Sequence, residues 1–143
     1  KLDDARGKFI FVIDEFGEKR KNYLEGHSSL RGRLMFIASG PGNPEAAIMI
    51  VNDPIKNQEK IKKLVKAGYL VRTRADADTK EARKGDYTRF KAALSSGTHY
   101  ISTDYYMADK NLETGYKIGF SDKKVARCNP VTIPKGCNDK ILE

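Results

Sequence analysis

A chain of 143 residues with 39% apolar and 32% charged residues has room for one domain with a hydrophobic core and is too short for two well-packed ones. No apolar run approaches the roughly 18 to 20 residues that span a bilayer, which excludes a membrane helix. The net charge of +8 invites a nucleic-acid reading, but Asp and Glu are interspersed among the lysines and no aromatic-interleaved basic stripe exists. A solvated helix surface explains the charge more simply, such a surface could equally favour anionic lipid headgroups, and no nucleic-acid partner is expected.

In chain order, the opening Lys1-Leu2-Asp3-Asp4 lacks Met and an apolar signal core, which predicts a start set by processing or truncation. Apolar runs rich in β-branched and aromatic residues follow at Phe9 to Ile13, Leu34 to Ala38, Ala47 to Val51, Tyr69 to Val71 and His99 to Ser102. Most are apolar on both alternating faces, so they predict buried strands of a parallel sheet. Asp53-Pro54 supplies an N-cap and a first-turn proline for a helix with an Ile61, Leu64 and Val65 stripe, and Gly68 is placed to end it. A second helix is expected after Thr79, with Phe90, Ala93 and Leu94 facing inward and Gly97 as its stop; Gly85 leaves its start open. Tyr116 to Phe120 is a short candidate strand.

Cys128 and Cys137 lie in a tail that holds Pro130, Pro134 and Gly136 between them. Either they form a local disulfide, which implies an oxidising compartment and hence a secreted or periplasmic protein, or they stay reduced; the bridge is preferred. Their spacing matches no metal motif.

Strand and helix alternating at this spacing predict an α/β protein. Nearly every strand run ends in acids or amides: Asp14-Glu15, Asn52-Asp53, Arg74 through Asp78, and Asp104. In a (β/α) barrel chemistry gathers at that C-terminal edge, and closure takes eight strands and roughly 250 residues. Five strands cannot close one, so the N-terminal strands are missing if this is a barrel at all. The most informative stretch is Leu70 to Asp78. Strand alternation there puts Arg72, Arg74, Asp76 and Asp78 on one face, with Val71, Thr73, Ala75 and Ala77 on the other. Guanidinium forks beside carboxylates suit a phosphate or polyol ligand, although a self-neutralising Arg and Asp ladder fits the same spacing.

The string Leu70-Val71-Arg72-Thr73-Arg74-Ala75-Asp76-Ala77-Asp78-Thr79 is followed by Glu81-Ala82-Arg83, Ala92-Ala93-Leu94, Ser96-Gly97, Ser102-Thr103-Asp104-Tyr105 and Ala126-Arg127-Cys128-Asn129-Pro130-Val131. With Leu30 to Phe36 and Asn52-Asp53-Pro54, this order resembles bacterial calcium-dependent phosphoinositide phospholipase C over almost the whole chain. The resemblance implies that residues 1–143 are the C-terminal portion, about strands 4 to 8, of a TIM-like barrel whose partner is the N-terminal half of the same barrel, in a peripheral membrane enzyme that cleaves the phosphodiester of phosphatidylinositol and releases diacylglycerol. It implies calcium, with Asp14 as a strand-end ligand and Glu15 beside it; two carboxylates are only part of a calcium shell, and a turn-capping role for Asp14 stays open. Arg74 resembles the arginine that reaches the inositol headgroup, with Arg72 and Asp76 as neighbours. Asp104, ending the last strand, is expected to orient a base histidine arriving from strand one, as the acid of a triad does, with a turn-forming role as the alternative.

The family's catalytic histidines come from N-terminal strands, and neither His27, in a polar loop, nor His99, at the start of a strand, fits that role. The chain alone is therefore expected to be inactive. Ile37 and Ser39 stand where eukaryotic relatives carry lysines for extra ring phosphates, which favours phosphatidylinositol over its polyphosphorylated forms. A glycerophosphodiester phosphodiesterase shares the barrel, the metal and a Thr-Asp-Tyr strand ending, but lacks the Arg-Thr-Arg-Ala-Asp run. A non-catalytic module for anionic lipid is the remaining alternative.

Overall fold

The structure, a computed structural model, describes residues 7–120, 124–133 and 135–142. The Lys1-Leu2-Asp3-Asp4 start and Pro134 lie outside the described residues. Where the length suggested one unit, the chain divides into two compact ones, residues 1–49 and 50–143.

In the first unit β1 (Val12–Ile13) and β2 (Phe36–Ile37) pair in parallel, Val12 opposite Phe36 and Ile13 opposite Ile37. Between them in sequence lies α1 (Gly17–Leu24), whose sequence GEKRKNYL carries no apolar stripe and buries no residue. A parallel bridge joins Ala38 to Ile48, at the start of β3 (Ile48–Ile50). The expectation of buried strands fails for much of this unit. Phe9 is 87% exposed and Leu34 96%, with Ile10, Phe11 and Phe36 also exposed; Ile37, Ala38, Ile48 and Met49 are buried. The two paired stretches are also only two residues long, against the five-residue runs Phe9 to Ile13 and Leu34 to Ala38. A strand holds its apolar side chains out of water only where a neighbouring layer covers them, and α1 has no face with which to do so.

The second unit realises the α/β pattern. Its sheet has the order β3-β4-β5, with β4 (Leu70–Arg74) and β5 (Tyr100–Ser102) parallel and Arg72, Thr73 and Arg74 opposite Tyr100, Ile101 and Ser102. Helix α2 (Gln58–Lys66) buries Ile61, Leu64 and Val65, the stripe read from the sequence. It ends as Gly68 at φ +89° allows: Gly68 N–H donates to Val65 O and Tyr69 N–H to Leu64 O, the paired bonds of a Schellman turn. Asp53 caps the turn ahead of this helix, its Oδ1 accepting from the Ile55 and Lys56 amides at 3.1 and 3.2 Å, while the regular helix begins only at Gln58.

The single helix expected after Thr79 is two, α3 (Lys80–Lys84) and α4 (Thr88–Ser96), because Gly85 adopts φ +62° and stops the first. In α4 Ala93 is buried, whereas Phe90 and Leu94 are half-buried. The candidate strand Tyr116 to Phe120 does not form a regular strand. Tyr116 instead becomes a core residue, 1% exposed, its ring 4.8 Å from that of Tyr87 and edge-on to Tyr105, and its hydroxyl reaching Ala75 O at 3.4 Å. Burial, and then the nearby Asp76 and Glu81 charges, raise the Tyr116 phenol above its ordinary value, so it stays protonated.

Cys128 and Cys137 form a disulfide. The tail around it caps α4: Arg127 donates to Leu94 O, Asn129 Nδ2 donates to Gly97 O at 2.7 Å, and Val131 packs against Gly97 so closely that a Cβ there would lie 2.4 Å from Val131 Cγ2. The architecture is α/β with parallel strands, and among the described residues no barrel closes.

Candidate active site

The alternation of β4 decides what its arginines can do. Val71, Thr73 and Ala75 are fully buried, which forces Arg72 and Arg74 to the opposite face. Thr73 needs an acceptor once buried and finds one in Val51 O at 2.6 Å. The result is a cleft of about 160 Å³ at the C-terminal ends of β4 and β5, lined by Arg72, Arg74, Asp76, Ala77, Asp78, Ser102, Thr103 and Asp104.

The lining groups differ in how far they are committed. Arg72 Nη1 donates to Asn52 Oδ1 at 2.7 Å. Arg74 is exposed, and its guanidinium has no side-chain partner among the described residues. Asp76 is 3% exposed; its Oδ2 accepts the Thr103 hydroxyl and its Oδ1 the Asp104 amide at 3.2 Å, so its carboxylate ties the end of β4 to the end of β5. Asp78 sits at φ +57° with its carboxylate 3.5 Å from Lys80 Nζ. Asp104 is exposed, and the Asp76 bond to its amide fixes its backbone at the cleft edge. Two guanidinium forks over one polar cavity can take the oxygens of a phosphate, and the free carboxylate opposite can accept from a hydroxyl or an imidazole N–H.

Five of the residues singled out from sequence therefore share one cleft: Arg72, Arg74, Asp76, Asp78 and Asp104. Asp14 and Glu15 belong to the first unit, just past β1, where both are exposed and Glu15 pairs with Lys19 at 2.9 Å. Neither histidine lines the cleft. His27 Nδ1–H donates to Arg31 O at 2.8 Å. His99 stands just before β5, at the end away from the cleft, and its Nδ1 accepts the Val71 amide at 3.2 Å. Burial holds the His99 ring below its ordinary pKa, which agrees with an imidazole that accepts there.

Sequence reasoning missed the supports of the cleft. Glu81, 9% exposed, accepts the Ala77 amide at 2.9 Å and Arg89 Nε–H at 2.7 Å, and Arg89 Nη1 reaches Asn52 O at 3.4 Å and Asp53 Oδ1 at 3.6 Å. One general signal was present: Glu81 lies in the first turn after Thr79, where a carboxylate finds backbone N–H groups without helical partners. The long-range partner Arg89 had no such signal.

Parallel strands whose C-terminal ends carry paired arginines and carboxylates define an α/β protein with an anion-suited cleft. The family model described as phosphoinositide phospholipase C, Ca2+-dependent, matches residues 1–130. The chain belongs to that family, whose phospholipase C chemistry is phosphodiester cleavage. No curated protein and no solved structure matches the chain significantly.

The family's calcium dependence can be set against the residues present. A calcium ion takes six to eight oxygens, several of them carboxylate. Among the described residues no group of three His, Cys, Asp or Glu side chains converges, and Glu15 is already engaged by Lys19. Asp14 and Glu15 alone do not make a calcium shell.

Proposed function

We propose that this chain is part of a phosphoric diester hydrolase that acts on phosphatidylinositol at a membrane surface, within a TIM-like barrel of which it forms about strands 4 to 8. The observation that carries this reading is the uncommitted Arg74 guanidinium in a cleft shared with Arg72 and Asp104, in a member of this family. In it Arg74 takes the phosphate and headgroup oxygens, and Arg72, held by Asn52, supplies a second donor face. Asp104 orients a histidine brought by a neighbouring strand, stabilising the imidazolium that forms when it takes a proton. Asp14 and Glu15 would contribute part of the calcium shell.

Both histidines of the chain are held by backbone groups outside the cleft, which supports the reading that the proton-transfer groups lie on other strands and that the chain alone does not turn over. Preference for phosphatidylinositol over its polyphosphorylated forms is supported by Ile37, which is buried, and Ser39, whose hydroxyl donates to Glu45 Oε1 at 2.9 Å; neither offers a cation to a ring phosphate. The disulfide supports a secreted or periplasmic site, and no helix among the described residues is long and apolar enough to cross a membrane.

The test is Arg74→Ala in the enzyme that carries this chain, assayed on phosphatidylinositol vesicles. Loss of activity on the order of 10²-fold with an unchanged circular dichroism spectrum is expected. Unchanged activity removes Arg74 from the site, and hydrolysis by the isolated 143-residue chain overturns the placement of the proton-transfer groups.

A further inference from the structure

The loop after β4 lines the cleft and the loop after β3 reaches it through Asn52, which holds Arg72; a short loop keeps its shape only if its backbone groups find partners. The Ala77 amide, between cleft residues Asp76 and Asp78, has Glu81 Oε2 as its acceptor. The other oxygen, Oε1, takes Arg89 Nε–H, and Arg89 carries the link onward through Nη1 to Asn52 O and towards the Asp53 carboxylate. Asn52 in turn accepts from Arg72. One carboxylate thus connects the loop after β4, helix α4, the loop after β3 and an arginine of the cleft, while lying almost out of water itself.

We propose that Glu81 and Arg89 are positioning residues for the cleft, acting as a clamp that holds the 76–78 loop, which lines it, and the 52–53 loop, whose Asn52 side chain holds Arg72. Truncating Glu81 would leave the Ala77 amide without its acceptor and Arg89 with only the more distant Asp53 as counter-charge, both costly where water is scarce. The ligand part of this inference rests on the cleft being the phosphate site; the loop part does not.

The experiment therefore has two readouts on the full 143-residue chain, amide hydrogen exchange and titration with myo-inositol 1-phosphate, for wild type, Glu81→Ala, Glu81→Gln, Arg89→Ala and Arg74→Ala. In Glu81→Ala the Ala77 amide should exchange at least tenfold faster while Ile61 and His99, bonded within α2 and between β4 and β5, keep their rates. Affinity for the probe should fall roughly tenfold. Glu81→Gln, which keeps one acceptor of two, should fall between, and Arg89→Ala should reproduce most of the loss. Acceleration spread evenly over Ala77, Ile61 and His99 makes Glu81 merely structural and overturns the proposal, as does an unchanged Ala77. If wild type and Arg74→Ala bind the probe equally or not at all, the phosphate reading of the cleft fails, and the exchange at Ala77 still decides the clamp.

Discussion

The two units use similar apolar runs to different ends. In residues 1–49 the strand segments Phe9 to Ile13 and Leu34 to Ala38 leave half of their side chains exposed, and the helix between them, α1, buries no residue. In residues 50–143, Val71 and its neighbours are sealed beneath α2, whose Ile61, Leu64 and Val65 point the same way. A strand's hydrophobicity alone does not bury it; an amphipathic partner does. Each unit also holds an Arg–Glu pair, Arg20 with Glu45 in the first and Arg89 with Glu81 in the second. In the first it gathers Ser39, whereas in the second it also fixes the Ala77 amide of a loop that lines the cleft.

The largest way to sharpen this contrast is Ile61→Ala, which empties a fully buried site under the β4 sheet. It should destabilise the second unit by about 2 to 5 kcal/mol, read as faster exchange of its protected amides, with the amides of residues 7–49 unchanged. Gly97→Ala should follow at about 1 to 3 kcal/mol, since the position has φ +72° and the new Cβ meets Val131. Gly26→Ala in the first unit, at a similar φ of +71° but with open space around it, carries only the backbone term, so the difference between the two isolates the clash.

Acid should act on both units through their carboxylates. For Glu81, burial raises the pKa, but the bonds from Arg89 and the Ala77 amide and the Arg89 charge outweigh it and hold the group below 4.5. Glu45 is likewise held below 4.5, its burial outweighed by its own backbone amide, Ser39 and Arg20. A folded-state pKa below the unfolded one means stability present above pH 4.5 and lost as pH falls through the lowered value. In the second unit His99 adds an earlier loss that begins as pH falls below 6.5, because burial disfavours its charged form in the folded chain. Unfolding followed from pH 7 to pH 3 should therefore show the second unit weakening first, and a first unit that weakens at the higher pH would break the comparison. The smallest effect is expected from Leu34→Ser, within about 0.5 kcal/mol, because that side chain is 96% exposed.

How much was legible in advance follows the same division. The α2 stripe, its Gly68 stop and the alternation of β4 were read directly, because each depends on a local period or on one residue's backbone freedom. The split of the post-Thr79 helix was signalled by Gly85 yet left open, since a glycine permits a break without requiring one. Tyr116 was misplaced: its burial is set by Tyr87, Tyr105 and the Ala75 carbonyl, all distant in sequence. Asp76 showed itself as a cleft acid, but not that Thr103 and the Asp104 amide occupy its oxygens.

By itself the sequence determined which residues alternate, where helices stop, that two cysteines lie close enough to bridge, and which family motifs the chain carries. Tertiary structure alone decided which apolar runs are covered, which arginine stays uncommitted, and that Glu81 and Arg89 brace the cleft. Those outcomes depend on pairings between residues far apart in sequence, such as Arg89 with Asn52, 37 positions away. Local periodicity carries no information about them, because such pairs form only once the strands and helices have packed.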